Sequence, residues 1–91
     1  MWLHKILIFL FTLIIVNKEK FNKKFGEFVY KKRSELGMTQ SKLASLIGNN
    51  AQNISRLERG EVSPTLYWLT LLAKAFEVKL SELIKEFEVF N

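Results

Sequence analysis

Residues 39–60 of the 91-residue chain read TQSKLASLIGNNAQNISRLERG. Two short runs of helical spacing stand there on either side of a three-residue turn. Thr39 is placed to cap a helix Gln40–Ile47 whose inward face is Leu43, Ala44 and Ile47. Gly48-Asn49-Asn50 makes the turn, because glycine takes the left-handed conformation without steric cost. Asn50 caps a further helix to about Glu58, with Ile54 and Leu57 inward and Gly60 ending it. Helices joined so closely cross steeply, and Ala44 is small where the next helix passes over it.

The pattern stays helical on both sides. From Lys18, the positions Phe21, Phe25, Phe28, Val29, Lys32 and Leu36 fall on one stripe of a first helix, and Gly37 stops it. Downstream, Ser63-Pro64 reads as a cap followed by proline at the first helical position. That fourth helix runs to about Phe76 with Leu66, Leu69, Leu72, Ala73 and Phe76 as its core face. Val78 and Leu80 lead into a fifth helix bearing Leu83, Ile84 and Phe87. No alternating stretch of strand length follows residue 17. The expected class is all-α, with five helices in one domain over residues 18–91.

Composition narrows the chemistry. Hydrophobic residues make up 48% and charged residues 25%, which suits a globular domain and argues against disorder. There is no cysteine, no aspartate and one histidine, His4, so thiolate sites, a Ser-His-Asp triad and a two-histidine metal site are excluded. No catalysis, metal or cofactor is expected. Fourteen basic against nine acidic residues give a net charge of +5, which favours an anionic partner, either nucleic acid or a membrane surface.

Residues 1–17 differ in character. From Ile6 to Val16 every residue except Thr12 is apolar. As a helix, Leu3–Val16 would span roughly 21 Å, short of a ~30 Å hydrocarbon core. A secretory signal is disfavoured because Asn17-Lys18-Glu19-Lys20 stands where a small-residue cleavage site belongs. Three readings stay open: a short anchor with the domain on the cytoplasmic face of the membrane, an element packed on the domain or a partner, or upstream sequence without function. His4 reads as incidental.

The spacing across residues 40–60 is that of a helix-turn-helix, whose second helix fits the major groove of DNA. With FGEFVYKKRSELGMTQSKLASLIG, NISRLERGEVSPTLYWLTLLAKAF and VKLSELI, the chain resembles the lambda-repressor-like (Cro/XRE-type) helix-turn-helix domains over about residues 21–84. Arg33, Leu36-Gly37, Thr39-Gln40, Leu43-Ala44, Gly48, Ile54-Ser55, Glu58-Arg59-Gly60 and Pro64 agree together. The resemblance implies that Ala51, Gln52, Ser55 and Arg56 face base edges. Gln52 can pair with adenine and Arg56 with guanine, each through two bonds, while Ala51 can touch only a thymine methyl. It further implies phosphate contacts from Gln40, Asn50 and Arg59, and a structural ion pair between Arg33 and Glu58. Three positions depart from the family pattern. Asn49 replaces an aliphatic turn residue, implying a less well packed turn; Glu77 replaces a glycine, and Lys79 a hydroxyl cap.

Taken alone, Gln52, Ser55 and Arg56 are an ordinary solvated face; the surrounding pattern outweighs that reading. Lys23, Lys24, Lys31 and Lys32 are either a solubility face or collectors of phosphate. The expected function is sequence-specific binding of double-stranded DNA by a transcriptional regulator, a cytoplasmic homodimeric repressor. The alternatives are an antitoxin, which adds a toxin protein as partner, and a membrane-tethered interaction module. Trp68, Leu71, Phe87 and Phe90 are the residues expected where subunits meet.

Overall fold

A computed structural model describes residues 3–8 and 17–90. The architecture is all-α: α1 (Lys18–Glu35), α2 (Gln40–Leu46), α3 (Ala51–Glu58), α4 (Leu66–Ala75) and α5 (Leu80–Val89). Residues 3–8 are also helical and exposed throughout, and no strand occurs among the described residues. Most of the segment read as an anchor lies outside the described residues. Among those described, no helix is long and apolar enough to cross a membrane.

Four of the five helices begin on a side-chain cap. Asn17, Thr39, Asn50 and Thr65 accept from the backbone N–H of Lys20, Lys42, Asn53 and Trp68 at 2.9–3.1 Å. Ser63-Pro64 therefore does not start α4; Thr65 does. The reason lies in Ser63 itself, whose hydroxyl donates to Asn22 Oδ1 of α1 at 2.6 Å and so ties the loop to the first helix. Lys79 gives α5 no side-chain cap, and Glu77 just before it sits at φ 58°.

The core is formed by Phe25, Phe28 and Val29 of α1, Leu43, Ala44 and Ile47, then Ile54 and Leu57 of α3, Leu72, Ala73 and Phe76, and Leu83 of α5. The expected stripes hold in part: Phe21 and Leu36 at the two ends of the α1 stripe, Leu66 at the start of α4, and Ile84 within α5 are exposed. An 18-residue helix outruns the small body it covers, so the ends of its stripe overhang. Phe87 and Phe90, expected at a subunit interface, are instead used inside the fold. Phe87 packs on Phe21, Phe25 and Phe28, and Phe90 on Phe28, with ring centroids 5.2–5.5 Å apart. Lys32, the polar member of the α1 stripe, pairs there with Glu86 of α5.

One close approach sets how α3 sits on α1. Gly26 of α1 lies under the last turn of α3, where a Cβ would stand 2.4 Å from the Glu58 carbonyl oxygen and 2.5 Å from that of Leu57. Only hydrogen fits in that space.

Candidate nucleic-acid interface

The turn between α2 and α3 is built from backbone and asparagine. Gly48, at φ 66°, lets the Asn49 N–H reach the Ala44 carbonyl at 2.9 Å, which closes α2. Asn49 Oδ1 then accepts from the Asn50 N–H at 2.8 Å and from Asn53 Nδ2 at 2.7 Å. The expected loosening of this turn is thus offset: hydrogen bonds take the place of aliphatic packing and fasten the turn to α3.

Because Ile54 and Leu57 are fully buried, the opposite side of α3 faces outward. Gln52 and Arg56 are exposed there, with Ala51 and Ser55 half-buried beside them. Asn50 is exposed at the cap, where its side chain is engaged with Asn53. Gln52, Ser55, Arg56 and Arg59 follow spacings of three and four and so form one polar stripe.

Arg33 and Glu58 are 11% and 5% exposed in their side chains, and join α1 to the end of α3. Arg33 Nε donates to Glu58 Oε2 at 2.6 Å and Nη2 to Oε1 at 3.0 Å, while Nη1 donates to the Met38 carbonyl at 2.7 Å. The Glu58 carboxylate holds the guanidinium pKa above its ordinary value, against the opposing effect of burial. Gln40 Nε2 donates to Glu58 Oε1 at 3.0 Å. An amide nitrogen has two hydrogens, so this bond leaves the second one available.

Arg59 caps α3, and Gly60 at φ 76° reverses the chain after it. The Glu61 N–H consequently bonds to the Arg56 carbonyl at 3.0 Å, carrying Glu61 back over the stripe. Its Oε2 accepts from Arg59 Nε at 2.6 Å, and its Oε1 lies 3.7 Å from Arg56 Nε. The hydrogen bond from Arg59 holds the Glu61 carboxyl below the usual carboxylate range, and the same bond raises the pKa of Arg59. Arg59 Nη1 also donates to Ser55 Oγ.

Sequence reasoning missed two of these residues. Gly26 was visible as a lone glycine inside a strongly helical run, which signals close packing. Glu61 was visible as an acid directly after the helix-ending glycine, where the chain must turn back on its own last residues.

The helix-turn-helix family model HTH_3 matches residues 29–83. Among solved structures, the chain is similar to the restriction-modification controller protein C.AhdI from Aeromonas hydrophila, with 31% identity and a TM-score of 0.63 over 67% of this chain and 92% of that one. The clp gene regulator ClgR from Corynebacterium glutamicum shares the fold, with 21% identity and a TM-score of 0.67 over 74% and 71%. Hydroxypropylphosphonic acid epoxidase from S. wedmorenis is similar at 27% identity and a TM-score of 0.61 over 68% of this chain, but only 33% of the enzyme is covered. That likeness runs through the helix-turn-helix fold alone. No curated protein matches the chain.

Proposed function

Because the chain belongs to the Cro/XRE-type helix-turn-helix family of DNA-binding transcription regulators, we propose that it is a sequence-specific repressor that seats α3 in the major groove of double-stranded DNA as a homodimer. One observation carries this reading: Gln52 and Arg56 stand exposed on the side of α3 opposite two fully buried residues, Ile54 and Leu57. A helix anchored in that way offers its polar stripe as a rigid unit. Gln52 reads adenine, Arg56 reads guanine, Ser55 accepts or donates to either, and Ala51 adds a methyl contact. Gln40, Asn50 and Arg59 take phosphates and fix the register.

A single recognition helix reads few base pairs, so a second copy is needed for useful discrimination against a genome. Leu66 and Tyr67 at the start of α4 are neighbours and are 69% and 73% exposed. Tyr67 and Leu71 border a hollow that also includes Ile47, Gly48 and Asn49, beside the turn of the helix-turn-helix. We place the subunit contact on this face. The test is selection of binding sites from random duplexes, with an inverted repeat expected at half-site centres ~10 bp apart. Recovery of a single unrepeated half-site bound by a monomer overturns the dimer; recovery of no sequence overturns specific recognition.

The likeness to C.AhdI supports a narrower form of the same reading, control of a restriction-modification system. A selected site lying upstream of such genes supports it, and sites elsewhere refute it.

A further inference from the structure

Glu61 has no part in the roles assigned so far, yet it touches two of the residues that carry them. The turn at Gly60 brings its carboxylate to the outer end of the α3 stripe by backbone geometry alone. One oxygen then accepts from Arg59 Nε at 2.6 Å, and the other faces Arg56 Nε at 3.7 Å. Both arginines are approached from the Nε side. The terminal Nη groups of Arg56 can make a two-bond contact with guanine, and the carboxylate approaches the other end of the guanidinium, at Nε.

We propose that Glu61 is a specificity-determining positioning residue, a single carboxylate that orients Arg56 toward base edges and cancels part of the positive charge that Arg56 and Arg59 present to phosphate. The inference rests on the proposed DNA-binding function and deepens it. Arg56, Arg59 and Glu61 together carry one net positive charge; without the carboxylate they carry two. A freely moving Arg56 reaches phosphates on any sequence and so strengthens binding where no guanine stands in register. On the matching site the same freedom is a loss, because the guanidinium must be ordered on contact rather than beforehand. The two effects have opposite signs, and both lower discrimination.

The pair contributes little to holding the fold, since Arg56, Arg59 and Glu61 are 46%, 55% and 48% exposed in their side chains. A change in DNA binding at Glu61 is thereby separable from a change in folding.

The experiment measures affinity of the full chain for the selected site and for a random duplex between 50 and 300 mM salt, about the range over which phosphate contacts dominate the change. Wild type is compared with Glu61→Gln and with Glu82→Gln, which removes the same charge from α5, outside the helix-turn-helix. Glu61→Gln is expected to bind random duplex about threefold tighter at low salt and the selected site about threefold more weakly, a roughly tenfold fall in their ratio. The salt slope on random duplex should steepen by ~0.9, one further phosphate neutralised. Melting temperature should stay unchanged, and Glu82→Gln should leave the ratio where it was. An unchanged ratio and slope in Glu61→Gln overturn the assignment, as does an equal effect of Glu82→Gln. Failure of wild type to bind either duplex is a different result: it overturns the DNA-binding reading and this inference falls with it.

Discussion

Replacing Gly26 with alanine should destabilise the protein, although helix propensity alone predicts the reverse. In an exposed helix interior the change gains ~1 kcal/mol. Here the added methyl meets the carbonyl oxygens of Glu58 and Leu57 at 2.4 and 2.5 Å and the Glu58 carbonyl carbon at 2.8 Å. All three are main-chain atoms of the last turn of α3 and cannot swing aside as a side chain would. α1 and α3 must separate by roughly 1 Å to restore ordinary contact, and a gap of that size forfeits about half of each facing contact. Val29, Ile54 and Leu57 are fully buried and belong to the core that α1 and α3 share. Overpacking against rigid atoms costs ~3 kcal/mol or somewhat more, so the net loss is ~2–3 kcal/mol after the propensity gain. For a domain of this size that lowers the melting temperature by roughly 10–20 °C, read by far-ultraviolet circular dichroism. DNA affinity, extrapolated to temperatures where the variant is folded, should fall as well, because α3 is displaced from its seat. A melting temperature equal to or above wild type would refute the close approach of the two helices.

Glu58→Ala should lose ~3–5 kcal/mol in denaturant unfolding, because it strands the Arg33 guanidinium in a buried position; a neutral result means that the pair is solvated. Arg56→Ala should abolish sequence preference, worth ~1–3 kcal/mol, while leaving weak salt-sensitive binding in a mobility shift. Equal losses on specific and random duplexes show instead that Arg56 only grips phosphate. Glu77→Gly should raise stability by about 1 kcal/mol, since a side chain at φ 58° crowds the following carbonyl, and a melting curve that moves down contradicts that conformation.

Much of the fold was legible because periodicity and capping agreed. Thr39 and Asn50 mark the starts of α2 and α3, and Leu43, Ala44, Ile47, Ile54 and Leu57 all occupy the predicted inward face. The start of α4 was misread because Ser63-Pro64 and Thr65 compete for one role, and local sequence does not reveal that Asn22, forty-one residues earlier, claims the Ser63 hydroxyl. Phe87 and Phe90 were misplaced for a related reason. Surplus aromatic residues look alike whether they meet another subunit or a remote helix of the same chain. The recognition stripe was legible as residue types at helical spacing. The carboxylate against it was not, since Glu61 reaches Arg56 by a reversal of the backbone, and periodicity has nothing to say about a residue beyond the helix end.

The seam at residues 77–79 also sets the order in which the molecule comes apart. α5 begins without a side-chain cap after a residue in the left-handed region, whereas α1 to α4 each start on a bonded cap. α5 packs on α4 and also lays Phe87 against rings of α1, with Leu83 buried beneath and the Lys32–Glu86 pair alongside. Such an element opens as a unit below the free energy of global unfolding, so its amides should exchange with solvent ahead of those in α3. In that open form the α2–α3 pair is still formed while Phe25 and Phe28 are uncovered. A protease cutting at the seam therefore releases a short peptide and leaves behind α1 to α4 with an exposed apolar flank. Turnover of this protein would then begin at the join between α4 and α5, remote from the α2–α3 turn.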